Sequence, residues 1–510
     1  MVSTAKNYRS TGVSQQSDVC LMLEGTYPYV RGGVSSWVHQ LIQGMPHLSF
    51  YLVFIGGTRE SFGEAHYELP ANVVGIETHY IMEPEASVEP RARKVSEKFM
   101  LQWYSVLGHF FDSGEALSQD DLDFMLGQLA KDKGFSRKDF LFSEQSWQVL
   151  LLLYDEYATS QSFIDFFWTF RNIYSPLFRL VEIAREIPPT RVIHSISTGF
   201  AGFLGSLTKH HQKIPYLLSE HGIYTKERKI DLSQAEWIKE RHNVLDNSMH
   251  RSNEQTRLMW IKFFEQLGRT SYAFADKITA LYEGNRLRQV ADGAPAERTQ
   301  VIVNGIKLSR FEKAYQARPA TPPKIAALVG RVVPIKDIKT FIRAIAVSCS
   351  SDPDIQGWIA GPTEEDEDYF HECEMLVTSL NMESNIHFLG MKNVAELFPQ
   401  IGVCVLSSIS EAQPLVLLEA MACGIPCIAT NVGASAEIIH GMTEEDRQIG
   451  SCGWITNIAS PDRIADAIKQ CFHSDTKWAE LGDNGRNRVI KYYQEEMMFD
   501  RFRQRYEELI

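Results

Sequence analysis

Residues 407–433 read SSISEAQPLVLLEAMACGIPCIATNVG. An apolar β-rich run, VCVLSS, leads into a polar loop, and Pro414 then stands where a helix begins, a place at which its missing N–H costs nothing. Gly424 stands just past the end of that helix, and PCIAT at residues 426–430 supplies a second strand. Strand, helix and strand at this spacing form a right-handed crossover in a parallel sheet, with the polar loop at the carboxyl edge. The free N–H groups near Leu415 and Val416, aided by the helix dipole, suit an anion. Glu411 precedes the helix and Glu419 lies within it, an E-x7-E spacing. A carboxylate accepts hydrogen bonds from two neighbouring hydroxyls, so the pair suits two carbohydrate rings separated by a phosphate. The plainer alternative is an ordinary crossover with one surface glutamate and one glutamate favouring the dipole.

The same alternation extends in both directions. KIAALVG, IQGWIAG, NIHFLG and GWIT, from residue 324 to residue 456, complete a second α/β domain around the quoted stretch. VCLMLEG, FYLVFIGG, RVIHSIS, IPYLLSEHG, DKITALY and TQVIVNGI, from residue 19 to residue 306, read as strands of a first one. Residues 85–186 break this pattern with Phe, Trp, Leu and Tyr at helical spacing, which predicts a helical insertion whose aromatics pack inward. EKAYQARPATPPK, residues 312–324, holds three prolines and no apolar periodicity and reads as the linker between the domains. Two parallel α/β domains joined there would place both sets of carboxyl-end loops across a cleft, where open α/β sheets bind ligands.

Three more loops carry chemistry. LVGRVVPIKD puts Gly330, Arg331 and Lys336 at the end of the second domain's first strand. A forked guanidinium and an ammonium there suit a diphosphate, whose charge grows as a sugar leaves; two solvent-exposed cations are the alternative. LSEHGIY puts Glu220, His221 and Gly222 after a strand of the first domain, where His221 is either a hydrogen-bond donor near a reacting sugar or a satisfied structural histidine. EGTYPYVRGGVSSWVHQL, residues 24–41, sets Gly32 beside Gly33 where a strand turns into a helix. Glycine serves where φ must be positive or where another body approaches the backbone closely, and a phosphate or a sugar is the expected body.

The 510-residue chain, 44% hydrophobic and 23% charged, has the composition of a globular protein of two or three domains. Its net charge of -13 argues against a nucleic-acid partner, which needs an excess of cations on one face. The eight cysteines are scattered, and Cys423 and Cys427 have no second pair to complete a zinc site, so reduced buried thiols are expected. The first 18 residues read as a polar tail without a secretory core, and no apolar run reaches the roughly 20 residues that span a bilayer. Asp121-x-Asp123 has a metal-binding spacing but lies in a helical stretch, the acidic run from Glu364 reads as a solvated helix face, and His210-His211 reads as a loop.

Taken in chain order, the Gly32-Gly33 loop, SEHG, VIVNGI, GRVVPIKD, FLG and the E-x7-E segment resemble the retaining glycosyltransferases of family 4. The resemblance spans most of both domains and implies a GT-B fold, α/β with two facing Rossmann-like parallel-sheet domains and a helical insertion in the N-terminal one. It implies an acceptor domain over residues 1–312, a nucleotide-sugar donor domain over 324–489, and a C-terminal helix, 490–510, crossing back to the first domain. Carried over by position, Arg331 and Lys336 would hold the donor diphosphate, Glu411 the donor sugar, Glu419 the ribose, and the amides after Pro414, at Leu415 and Val416, the distal phosphate. His221 would sit beside the donor sugar, Gly32 and Gly33 would let a loop close over the diphosphate or acceptor, and backbone groups near Gly390 and Met391 would read the base. Gln413 departs from the family pattern, where many members carry a small or aromatic residue.

The resemblance further implies a retaining, metal-independent transfer from a UDP-sugar to a glycan acceptor, with no cofactor, and no nucleic-acid partner is expected. The opening segment and the insertion look more narrowly like cytoplasmic transferases of Pel-type exopolysaccharide systems, which leaves room for recruitment by an inner-membrane polysaccharide assembly complex. Two rivals stand beside this reading: a non-catalytic UDP-sugar-binding subunit of such a complex, and a GT-B sugar-nucleotide epimerase.

Overall fold

The computed structural model describes residues 16–83, 96–112, 114–129, 134–159, 162–234 and 247–510. Most of the expected N-terminal tail and the start of the expected insertion lie outside these residues. The chain forms two compact units. One runs to Ala280 and includes Arg286–Gln300 and Arg503–Ile510; the other comprises Leu281–Asn285 and Val301–Phe502.

The first unit is built on a seven-stranded sheet of β1 (Ser17–Glu24), β2 (Phe50–Gly56), β3 (Val73–Tyr80), β4 (Thr190–Ser195), β5 (Tyr216–Glu220), β6 (Lys277–Ala280) and β7 (Thr299–Val301), in the order β3-β2-β1-β4-β5-β6-β7. The pairings from β3 to β6 are parallel. β2 and residues 19–23 of β1 are apolar because helices cover both faces of a parallel sheet. β3 is the strand that the sequence reading missed. It is an edge strand carrying Gly75, Glu77 and His79, and its polarity is satisfied locally, since Glu77 accepts from Tyr51 at 2.6 Å and lies 3.0 Å from His79.

Between β3 and β4 the insertion forms the helices Glu97–Phe111, Gln119–Gln128, Arg137–Phe142, Glu144–Tyr157 and Phe163–Glu186. Trp103, Phe110, Phe135, Tyr174 and Phe178 are buried in its core, whereas Trp147 and Trp168 are exposed. The two aspartates with metal-like spacing serve structure: Asp121 forms a reciprocal capping box with Ser118, and Asp123 lies 2.8 Å from His210. His210 and His211 occupy the last turn of the helix Phe200–Gln212 rather than a loop, because that helix continues until Lys213 adopts a left-handed conformation. Among the described residues no helix is long and apolar enough to cross a membrane.

The second unit holds a six-stranded parallel sheet of β8 (Ile325–Val329), β9 (Gln356–Ala360), β10 (Ile386–Gly390), β11 (Val403–Leu406), β12 (Cys427–Thr430) and β13 (Gly453–Thr456), in the order β10-β9-β8-β11-β12-β13. The proline-containing segment expected to be a linker is instead packed onto this unit. Glu312–Gln316 is a short helix, Glu312 pairs with Arg486 at 2.6 Å, and the Arg318 guanidinium lies 4.9 Å from the Trp478 ring while donating to the Gly424 carbonyl. Pro319, Pro322 and Pro323 all follow this helix, and Arg318 before them anchors the segment. The thiols are all free, and seven of the eight are buried.

Candidate functional site

In the second sheet the chain runs outward from β8 to β10, then returns to the other side of β8 to lay down β11. The order reverses between β8 and β11, and at such a switch point the loops leaving the two strands part and open a crevice at their carboxyl ends. Those loops are residues 330–336 and 407–414, which carry Arg331, Lys336 and Glu411. They are stitched together by the Ser407 hydroxyl, which donates to the carbonyls of Lys336 and Asp337 at 2.9 and 3.0 Å, and by the Ile409 N–H on the Ile335 carbonyl at 2.9 Å.

The site closes on an ion pair. Lys336 Nζ lies 2.6 Å from Glu411 Oε1, with side chains 20% and 14% exposed, and the Ser408 hydroxyl donates to the same oxygen at 2.7 Å. Sequence spacing placed these two residues on separate parts of a ligand; the structure puts them in direct contact. Arg331 stands further out, half exposed and paired with Glu365. Gly433 is needed here: its φ is +54°, and a Cβ would meet the Ala412 carbonyl oxygen at 2.3 Å.

The helix after this loop is Leu415–Ala422, with Pro414 as its N-cap, one position earlier than a first helical residue. Leu415 and Val416 lie in its first turn, where no helical acceptor precedes their N–H groups. At the other end Gly424 takes φ +70°, its N–H bonds the Met421 carbonyl, and the Ile425 N–H bonds the Ala420 carbonyl, a Schellman stop. Glu419 projects from this helix with its side chain 21% exposed. Burial raises its carboxyl to about 7 against the counter-effect of Arg310, 3.9 Å away. Gln413 is turned away into the fold, its amide bonded to the backbone of Asn304.

At the end of β10, Gly390 takes φ +63° and its carbonyl accepts the Gly361 N–H at 2.9 Å, while Met391 is 74% exposed. Gly361 itself has no room for a side chain, since a Cβ would meet the Gly330 carbonyl oxygen at 1.9 Å.

The first unit repeats the switch-point geometry between β1 and β4. Gly32 caps the helix Gly33–Gln43 in an extended conformation, φ 169°, which any residue can adopt. The pair is therefore not required by a left-handed backbone, correcting one half of the sequence expectation. A Cβ at Gly32 or Gly33 would meet nothing within 4 Å, so no neighbouring atom of the protein requires glycine there either. His221 follows β5 and packs edge-on to Trp37, with ring centroids 4.4 Å apart. Burial pulls its imidazole down to about 4, so it is neutral at pH 7 and one ring nitrogen carries a donor N–H.

Beside it lie two carboxylates that sequence reasoning did not use. Glu220 accepts from Tyr272 at 2.6 Å, Gln289 at 3.0 Å and Thr198 at 3.0 Å, and Glu24 accepts from the Tyr224 hydroxyl at 2.6 Å and the Ala201 N–H at 3.0 Å. Burial raises both. A carboxylate ending an apolar strand, as in VCLMLE and PYLLSE, is the signal that marked them.

Residues 17–297 match the family described as a domain of unknown function (DUF3492), and residues 309–488 match glycosyl transferases group 1. Over its whole length the chain has the GT-B fold, as its likeness to solved structures shows. Sucrose-phosphate synthase of Thermosynechococcus elongatus superposes with TM-score 0.57 at 17% identity, covering 96% of this chain and 99% of that one. Anabaena Alr3699/HepE, solved in complex with UDP and glucose, superposes with TM-score 0.56 at 13% identity, covering 97% and 100%. Within that class the chain belongs to the DUF3492 family, whose match spans more than half of it.

Among curated relatives, the N-acetyl-alpha-D-glucosaminyl L-malate synthase of Bacillus anthracis is 34% identical over 128 residues, 25% of this chain and 32% of that protein. An uncharacterized glycosyltransferase of Methanocaldococcus jannaschii, MJ1178, is 26% identical over 67% of this chain and 82% of its own length. The chain thus spans about a third of the malate synthase that it matches.

Proposed function

We propose that this protein is a retaining, metal-independent glycosyltransferase that moves a hexose from a UDP-sugar, UDP-glucose or a close relative, to a growing glycan. The observation that carries the reading is the gathering of Lys336, Glu411 and the first turn of the helix Leu415–Ala422 at the switch point of the second sheet. Relatives named as glycosyltransferases support the reaction class. The structures of HepE with UDP and with UDP-glucose support the donor class. The opening segment and the insertion favour a finer assignment, the role of PelF, the cytoplasmic transferase of the Pel exopolysaccharide system. On that assignment an inner-membrane polysaccharide assembly complex would recruit the protein.

In this reading Lys336, Arg331 and the amides of Leu415 and Val416 hold the diphosphate and stabilise the charge that develops on it. Glu411 accepts from the donor sugar's hydroxyls and Glu419 from those of the ribose, on opposite sides of the anchored phosphates. Backbone groups near Gly390 and Met391 meet the base. His221, neutral, donates to the sugar, and the open space at Gly32 and Gly33 admits the acceptor or the diphosphate. With no enzyme nucleophile, the acceptor oxygen attacks the anomeric carbon on the face that the phosphate leaves. The acceptor's proton passes to the departing phosphate oxygen. Release of UDP from UDP-hexoses in the presence of a glycan acceptor, unaffected by EDTA, is the expected result; loss with EDTA and recovery with Mn²⁺ would contradict metal independence. UDP binding without turnover would favour the binding-subunit rival, and interconversion of UDP-sugars the epimerase.

Glu419 adds a pH signature. A folded-state value raised from 4.5 to about 7 means that its contribution to stability is fully present below pH 4.5 and lost as pH rises through 7. Ribose hydroxyls favour the ionised form, so UDP affinity should climb between pH 6 and 8. In Glu419→Gln that part of the slope disappears, leaving only the nucleotide's own phosphate ionisation, and affinity at pH 8 falls by about tenfold. Calorimetric titration at several pH values measures both, and an unchanged slope in the variant would refute the ribose contact.

A further inference from the structure

We infer that Gln413 is a positioning residue: it fixes the Glu411 carboxylate and the anion-binding turn from behind, without touching the ligand. The inference rests on the donor site proposed above. Gln413 lies between Glu411 and Pro414. Its side chain is buried, 8% exposed, and its amide reads one residue completely. Oε1 accepts the Asn304 N–H at 2.7 Å, and Nε2 donates to the Asn304 carbonyl at 3.1 Å. A two-point bond fixes orientation as well as distance, which a single hydrogen bond or an apolar contact does not.

Asn304 is a firm anchor. Two residues on, Ile306 exchanges backbone bonds with the start of the C-terminal helical segment, its N–H to the Tyr493 carbonyl at 2.9 Å and its carbonyl from the Glu495 N–H at 3.1 Å. Gly305 is pressed so close to Gln494 that a Cβ would meet its carbonyl carbon at 2.3 Å. On the other side of the loop the Ala434 N–H holds the Ala412 carbonyl at 2.7 Å. Residues 412 and 413 are thus pinned from two directions, and the carboxylate just before them and the amides just after them inherit that placement. Preorganisation of this kind acts on a developing charge only when the donors and acceptors cannot swing.

The test uses the full chain with Gln413→Met, of similar length but without either hydrogen bond, and Gln413→Glu, which keeps the acceptor for Asn304 N–H and loses the donor. Hydrogen–deuterium exchange of residues 407–416 without ligand, UDP binding by calorimetry, and kcat with a UDP-sugar are measured well below each variant's melting temperature. Expected for Gln413→Met are exchange at least about tenfold faster in that segment, UDP affinity about tenfold weaker and kcat lower, with Gln413→Glu intermediate. If only the melting temperature falls while exchange, affinity and kcat stay within twofold of the parent, Gln413 merely supports the fold and the inference is wrong. Failure of the parent protein to bind UDP would count against the donor-site reading instead, and the exchange data would still decide the role of Gln413.

Discussion

Replacing Glu411 with glutamine is expected to slow sugar transfer by about tenfold to a hundredfold while tightening the binding of UDP itself. The first effect follows from losing a charged acceptor for the donor sugar's hydroxyls. The second comes from the ion pair. In the ligand-free protein Lys336 already holds Glu411 at 2.6 Å, so an incoming diphosphate must draw the ammonium away and then lie near a carboxylate that has lost its partner. A complete donor repairs this, because its sugar hydroxyls replace the ammonium; UDP alone does not. Removing the carboxylate's charge removes a like-charge repulsion worth about 1 kcal/mol after screening, so UDP affinity should rise by about fivefold. The pair thereby discriminates substrate from product. Calorimetry with UDP and steady-state rates with a UDP-sugar separate the two effects, and a loss of UDP affinity in Glu411→Gln matching that of Glu419→Gln would show that each carboxylate has not been matched to its own ring.

Lys336→Ala is expected to be more damaging than Arg331→Ala. Lys336 is largely enclosed, and its loss both deprives the diphosphate of a charge-assisted contact and leaves Glu411 facing the phosphates uncompensated. The combined effect should weaken UDP by about a hundredfold and lower kcat/KM at least as much. Arg331 is half exposed and shares its charge with Glu365, so solvent screens much of what it offers and its removal should cost nearer tenfold. The double variant Lys336→Ala/Glu411→Gln should recover part of the UDP affinity lost in Lys336→Ala, since no unpaired carboxylate remains. UDP binding in Lys336→Ala equal to that of the parent would contradict the placement of the diphosphate.

Much of this site was legible from spacing because backbone chemistry enforces it. Pro414 and Gly424 bracket a helix, strand grammar puts Glu411 and Lys336 on neighbouring loops, and parallel sheets reverse order where those loops part. Side-chain partners were not legible. That Lys336 would meet Glu411, that Gln413 would turn inward to Asn304, and that burial would raise Glu419 all depend on tertiary packing across distances of up to 109 residues in the chain. The glycine pair shows the same limit from the other side: local sequence suggests φ or room, and only the structure separates them, giving Gly32 an ordinary extended φ and open space. The polar edge strand β3 and the anchored Pro-containing segment were misread because edge exposure and a single arginine on a tryptophan leave no periodic trace.

The most direct test is calorimetric titration of UDP, ADP and GDP into the full chain at pH 8, repeated with Glu419→Gln. The account predicts one site, tightest for UDP, weakened by about tenfold in the variant. Equal or tighter binding of ADP or GDP, or UDP binding indifferent to Glu419, would contradict a uracil-nucleotide donor site in the second unit.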